Sequence, residues 1–354
     1  MAFSILFVAT QYGSLNIISP LIEACLARYR VGYMGVKQIP NRRLIFNQAI
    51  LEDDEPVFSS LGSYDLYVTG TSPTSDFEYK IWKYAAERKV KSICLLDSSK
   101  YAIDRFRKGG VTFYPDIICV TDDQVKDIVL SVGVEANRVI VAGSPYFDRI
   151  GTLKISEIEK HRIKDEMNAS TKKIITFCTE YIAQKGEKDR YGYDELSVLD
   201  DLAQYISCRG ADKFRLAVRV HPNDSKEIYK QYLKSVTDGI EWDIISEDND
   251  RRLFQISDVV IGMTSLILVE AVILGIPAIS YQPADTATKI QEYDSMANIE
   301  LITSKEDLFI SMDRDIFNFS MKAGRQVTYR NTHSLEKIMG LIRSSLFKDG
   351  GIPA

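Results

Sequence analysis

Ser257-Asp258-Val259-Val260-Ile261-Gly262-Met263-Thr264-Ser265-Leu266-Ile267-Leu268-Val269-Glu270-Ala271 reads as a buried strand passing through a glycine into a hydroxyl-capped helix that carries one acid. Val259 to Ile261 are β-branched and free of charge, which suits a strand covered on both faces, as in a parallel sheet. Gly262 lets the backbone turn closely. Thr264 or Ser265 can then cap a helix whose free amides and positive dipole end attract an anion such as a phosphate. Glu270 lies one to two turns further on, where a carboxylate can take the hydroxyl pair of a ribose, the logic by which dinucleotide folds place an acid on the ribose. An ordinary capped helix in an α/β core accounts for the same string.

Outward from this stretch, short apolar runs alternate with longer amphipathic segments. The first series is Ile5 to Ala9, Leu66 to Thr69, Ser92 to Leu96, Ile117 to Val120 and Val139 to Ala142. The second is Lys173 to Cys178, Arg215 to Val220, Trp242 to Ile245, Val259 to Ile261, Ala278 to Tyr281 and Leu301 to Thr303. Such alternation predicts parallel strands with crossover helices. The charged helical stretch Ile155 to Met167 and the run Asn168-Ala169-Ser170-Thr171 interrupt the two series and mark a domain boundary. The expected architecture is α/β, with two Rossmann-like, doubly wound domains, residues 1–152 and 171–333, facing a central cleft. A C-terminal segment, 334–354, holds an amphipathic helix over Ser334 to Phe347 and a frayed end. Open α/β sheets bind ligands beyond the carboxyl ends of their strands, so the loops after strands decide function.

Of the 354 residues, 44 are Lys or Arg and 49 are Asp or Glu, a net charge of -5 that gives no global basic field for nucleic acid. The five cysteines are odd in number, widely spaced and mostly set in apolar runs, as expected of buried thiols in a reducing compartment. Neither they nor the three histidines show zinc-ligand spacing, and no Asp-x-Asp pair stands in the strand-end loops. No metal is therefore expected. The N-terminus lacks the positive region of a leader and reads as a first core strand, which predicts a cytoplasmic protein. A lipid-linked substrate would bring it to the inner face of the membrane, where Arg42-Arg43 and Arg105 to Lys108 could meet headgroups, though solvated surface charge is the ordinary account of both runs. Oligomeric state is not legible.

Three loops of the second domain carry candidates. Arg219-Val220-His221-Pro222 ends a strand in a proline-fixed bend, so a guanidinium and an imidazole share one rim with Thr264 and Ser265, while Thr179 and Glu180 leave the first strand of the same domain. Each has a plainer alternative: a histidine that satisfies a turn, or a threonine that caps a helix. His221-Pro222, Thr264-Ser265, Glu270-Ala271 and Leu274-Gly275-Ile276-Pro277 together resemble the nucleotide-binding lobe of GT-B glycosyltransferases, most closely the sialyl, polysialyl, Kdo and polyol-phosphate transferases of bacterial surface polymers. The resemblance implies phosphate binding by His221, Thr264 and Ser265, with Arg219 on the same rim, and ribose binding by Glu270. It departs from the family at Met263-Thr264-Ser265, where the family has a Ser-Ser pair. The His-Pro-Asn run is also similar to UDP-N-acetylglucosamine 2-epimerases, though the Gly-rich loop and the acidic and arginine run of that lineage are not found.

In the first domain, Thr69-Gly70-Thr71-Ser72 and the downstream Glu78 form one loop, and Leu95-Leu96-Asp97 places an acid at a strand end. A carboxylate there is costly unless paired or working, which singles out Asp97. The chemistry of glycosyl transfer calls for a base, for which Asp97 comes first, Glu78 second and Glu180 third, and for an acceptor side built from Gly13, Thr71, Ser72 and Arg105. Tight turns, caps and loops are the plainer readings of these positions. The expected activity is transfer of a sugar from a CMP-, CDP- or UDP-linked donor, or of ribosyl from phosphoribosyl pyrophosphate, to a glycan or lipid-linked acceptor without a metal. The alternatives are a sugar-nucleotide epimerase or hydrolase on the same fold, and a sugar-phosphate-binding subunit without catalysis.

Overall fold

A computed structural model describes residues 3–50, 63–237, 239–245, 250–285, 287, 299–317 and 333–347. The chain divides into two compact units, Met1–Arg149 with Asn331–Ala354, and Ile150–Arg330.

The first unit is built on a parallel sheet of β1 (Ser4–Ala9), β2 (Arg30–Gly35), β3 (Phe46–Ala49), β4 (Leu66–Thr69) and β5 (Lys91–Leu95). After a small hairpin, β6 (Arg107–Lys108) with β7 (Val111–Thr112), it is completed by β8 (Ile117–Val120) and β9 (Val139–Val141). The order is β3-β2-β1-β4-β5-β8-β9, so the winding reverses between β1 and β4. Every residue of β1 is buried, as its charge-free sequence requires of a central strand. The expected reading of this sheet lacks β2 and β3. In β2 the apolar run is broken by Gly32 and Gly35, and both glycines make room for tyrosines: a Cβ at Gly32 would meet the Tyr64 hydroxyl, and one at Gly35 the Tyr33 hydroxyl.

The helix Ser334–Leu346 belongs to this unit rather than to a separate C-terminal segment. It packs on the helix Tyr12–Cys25, with Cys25 Sγ 3.6 Å from Met339 Sδ, and Asp148 accepts bonds from Ser334 N (2.8 Å) and Oγ (2.5 Å) at its start. Its amphipathic face, Ile338, Met339, Ile342 and Leu346, supplies part of the unit's core. Asp349 to Pro353, read as a frayed end, lie outside the described residues.

The second unit repeats the plan with β10 (Lys173–Cys178), β11 (Phe214–Arg219), β12 (Glu241–Ile245), β13 (Val259–Gly262), β14 (Ala278–Tyr281) and β15 (Glu300–Ile302). Their order, β12-β11-β10-β13-β14-β15, is the 3-2-1-4-5-6 winding of a dinucleotide-binding fold, with the reversal between β10 and β13. The charged segment read as a boundary is part of this unit: the helix Glu157–Glu166 packs on Asp250–Ile256, and Ile155, Ile163 and Met167 cover the cluster of Ile174, Ala217, Leu253 and Ile256. Its charges pair along its own exposed face, as Lys160 does with Glu157 at 2.7 Å.

Candidate functional site

At the reversal point of the second sheet, the loops leaving β10 and β13 are joined by one carboxylate. Glu180 accepts from Met263 N (3.0 Å), Thr264 N (2.5 Å) and Thr264 Oγ1 (2.5 Å). The Met263 to Ser265 loop therefore does bind an anion, and the anion it holds is a side chain of this protein. The expected capping geometry changes accordingly. The following helix is Ile267–Ile273, its N-cap Leu266 offers no side-chain bond, the Thr264 hydroxyl is spent on Glu180, and Ser265 Oγ accepts a long bond from Ile267 N at 3.3 Å. Beneath the loop, Ser280 Oγ and Gln282 Nε2 donate to Met263 O (2.5 and 3.2 Å), and Tyr193 donates to Gln282. Gly262 lets β13 run close under the helix, where a Cβ would press to 3.2 Å from Leu268.

His221 stands on the same rim, after β11. Its backbone N–H donates to Thr179 Oγ1 (2.8 Å), so Thr179 ties two strand ends together and is not a helix cap. The ring lies parallel to Tyr181, centroids 6.1 Å apart and planes 10° apart, and Nδ1 accepts from Asn223 N at 3.2 Å. That bond assigns the ring proton to Nε2, which makes the imidazole a neutral donor. Burial, and then the charges of Arg219 and Lys185, lower its pKa from 6.5 to about 4. Between these values the unfolded chain binds a proton that the folded chain refuses, so stability is complete above pH 6.5 and falls as pH drops toward 4. Comparing urea midpoints at pH 7 and pH 5 in wild type and His221→Gln is expected to show a smaller loss in the variant. Equal losses in both proteins remove this assignment.

Glu270 is buried on its helix, its carboxylate 3.5 Å from Arg251 Nε on the helix Asp250–Ile256. The acid expected at a ribose is thus already half of an ion pair.

Two residues of this rim escaped the sequence reading. Glu195 is fully buried and accepts from the backbone N–H groups of Glu180 (3.1 Å), Ile182 (2.6 Å) and Ala183 (2.8 Å), which fixes the loop that carries Glu180. Tyr181 sits within that loop at φ 70°, a left-handed conformation that an aromatic residue adopts only under constraint. Neither has a sequence signature, because Glu195 opens a helix as many glutamates do and αL tyrosines are set by tertiary bonds.

In the first unit the strand-end loops are also knitted together. Asp97 Oδ1 accepts from Arg105 Nη1 (2.8 Å) and Thr71 Oγ1 (3.2 Å). Arg105 is 4% exposed and donates further to Thr71 Oγ1 (2.6 Å), Thr71 O (3.3 Å) and Lys100 O (2.9 Å). Asp97 is thus neither a helix cap nor an isolated acid. Its second oxygen lies over Gly13, where a Cβ would clash with Oδ2, so this glycine is demanded by the carboxylate itself. Gly70 likewise leaves room for Ser14, whose hydroxyl donates to Thr71 O at 2.7 Å. Glu78, 1% exposed, spends both oxygens on Thr10, accepting from its N–H (2.8 Å) and its hydroxyl (2.7 and 2.9 Å). Burial pushes this carboxyl up against the pull of those bonds, and the geometry is that of a loop tie. Ser72 Oγ accepts from Ser75 N (2.9 Å) and Thr74 N (3.2 Å), an internal loop role. The sequence reading therefore brought Gly13, Thr71, Asp97 and Arg105 to one place, with Glu78 and Ser72 set to holding loops. Among the described residues no group of three or more His, Cys, Asp or Glu could hold a metal, and no helix is long and apolar enough to cross a membrane.

No family model and no curated protein matches the chain. Solved structures do. A putative UDP-N-acetylglucosamine 2-epimerase from Listeria monocytogenes has a TM-score of 0.69 at 12% identity, over 100% of this chain and 99% of that one. The Methanocaldococcus jannaschii UDP-N-acetylglucosamine 2-epimerase, solved with UDP-GlcNAc and UDP, has 0.68 at 14%, over 96% and 99%. HepE from Anabaena, solved with UDP and glucose, has 0.62 at 12%, over 96% and 99%. The fold is shared with these proteins. It is GT-B-like, a pair of parallel-sheet α/β Rossmann-like units, as the resemblance to glycosyltransferases implied. At such identities the likeness concerns architecture, and residue roles rest on the chemistry of this chain.

Proposed function

We propose that the chain is an enzyme that binds a UDP-sugar by its diphosphate at the β10–β13 rim and alters the sugar itself, as a 2-epimerase or hydrolase. The observation that carries this reading is the donor set of Met263 N, Thr264 N and Thr264 Oγ1 already holding a carboxylate, at the reversal point where this fold takes nucleotides. A carboxylate oxygen presents the same charge and lone pairs to these donors as a phosphate oxygen does. Neutral His221 adds an Nε2–H donor, and Arg219 and Lys185 add positive charge. The fold likeness to UDP-sugar enzymes supports the nucleotide, and it favours this reading over the glycosyl transfer that the motifs suggested.

Inverting a carbon beside the anomeric centre requires its proton to leave as the C1–O bond to the diphosphate breaks and a C1=C2 double bond forms; UDP then adds back to C1 and a proton to the other face of C2, or water adds to C1 in place of UDP in a hydrolase. The C2 hydrogen becomes acidic only as the diphosphate departs, so an anion-stabilising set and a base are both needed. The Met263 to Ser265 loop with His221 supplies the first.

Incubating the protein with UDP-N-acetylglucosamine alone, and following products by proton NMR, tests the reading. The C2 epimer or free sugar with UDP is the expected result, and turnover that begins only when a glycan acceptor is added restores the transferase.

A further inference from the structure

We infer that Glu180 is a displaceable occupant of the diphosphate site, a built-in carboxylate that holds the site closed in the free protein. The inference rests on the diphosphate role proposed for the Met263 to Thr264 donors and deepens it.

Three bonds converge on Glu180, and they use up both backbone donors and the hydroxyl of the loop. An incoming phosphate oxygen needs the same atoms. Two anions cannot occupy them together, because each donor has one proton to give and like charges at contact distance repel. Binding therefore requires the carboxylate to leave.

The loop is built so that this costs only side-chain rotation. Glu195 clamps the backbone N–H groups of Glu180, Ile182 and Ala183, and the next residue, Tyr181, is held at φ 70° against His221. The Cα of Glu180 thus stays in place whichever anion fills the cradle. The carbonyl of Met263, in the peptide that carries Thr264 N, is held from below by Ser280 and Gln282, so that peptide also keeps its geometry when the carboxylate swings out. The surrounding charge decides which occupant prevails: Arg219, in register with Cys178 two residues before Glu180, and Lys185 on the helix Ile182–Lys185 that follows it favour a multiply charged diphosphate over a single carboxylate. A ligand with one negative charge gains less from them and leaves Glu180 in place. Glu180 in this way selects for diphosphates.

The test compares wild type, Glu180→Gln, Glu180→Ala and Glu180→Ala/Thr264→Val, with inorganic pyrophosphate, UDP and acetate as titrants in calorimetry. A site open about one-tenth of the time loses about tenfold in apparent affinity, so both single variants are expected to bind pyrophosphate about tenfold more tightly than wild type. The double variant is expected to lose that gain. Acetate should bind Glu180→Ala, where the cradle is empty, and not wild type. Equal or weaker pyrophosphate binding in both single variants overturns the inference, and Gln, of nearly the same shape, guards against a folding defect in Ala. UDP separates this from the reading beneath it. Tighter pyrophosphate with no UDP binding in any protein upholds the displaceable carboxylate and removes the nucleotide, whereas UDP binding that is identical in wild type and Glu180→Gln upholds the nucleotide and removes the displacement.

Discussion

Arg105→Met is expected to destabilise the protein by about 3–5 kcal/mol, because it strips the partner from a carboxylate that has little water to turn to. Arg105 is 4% exposed and the Asp97 side chain 15%, and their bond is 2.8 Å. In the variant the aliphatic volume is kept, so the loss is electrostatic, with little of it due to a cavity. Asp97 is left facing Thr71 alone, and Thr71 loses a 2.6 Å bond from the same guanidinium. A second substitution makes the cause visible. Asp97→Asn in the Arg105→Met background removes the uncompensated charge, and the double variant is expected to recover part of the loss. The quantity to measure is the urea midpoint of the four proteins of this cycle at constant salt. Additive losses, with no recovery in the double variant, sink the claim that the ion pair holds this rim together. Arg105→Lys, which keeps the charge and loses the fork to Thr71 and Lys100, is expected to lose less stability than Arg105→Met, read from the same urea midpoints.

What the sequence made legible follows from which physical signals are local. Central strands such as β1 and β13 are apolar throughout because both faces are covered, and they were readable without any partner in view. β2 and the edge strand β3 were not, because Gly32 and Gly35 interrupt the apolar run to make room for the hydroxyls of Tyr64 and Tyr33, and β3 is half exposed. The same division runs through the site. His221, Thr264 and Asp97 were found because strand ends in a doubly wound sheet point at ligands, a rule that needs only the strand positions. Their partners were out of reach. That Glu78 closes on Thr10 over 68 residues, and that Glu180 reaches Thr264 over 84, are consequences of sheet order, which no local window contains. A carboxylate at a strand end therefore announces that something is paired there, and the fold alone tells whether the pair is a ligand or another loop.

Glu195 gives the sharpest case of a residue with no local signature, and Glu195→Ala is expected to be among the most damaging substitutions in the second unit. Its carboxylate accepts three backbone N–H bonds at 2.6 to 3.1 Å in full burial. Bonds of this kind to a charged acceptor contribute about 1.5–3 kcal/mol each, and water entering the space left by alanine offsets only part of them, so a loss of roughly 3 kcal/mol or more is expected. The loss should also be localised. With the clamp gone, nothing compels Tyr181 to remain at φ 70°, and its relaxation separates the ring from His221. Hydrogen exchange reads this directly: the amides of Ile182 and Ala183 should exchange about a hundredfold faster or more in the variant, while those of β10 and β13 keep most of their protection. Glu195→Gln retains the volume and an oxygen that can accept from Glu180 N and Ile182 N, but turns its NH2 toward Ala183 N, so it should fall between wild type and alanine. A variant whose 180–183 amides stay as protected as in wild type would mean that the loop is held by its packing, and that the buried carboxylate only fills space beneath it.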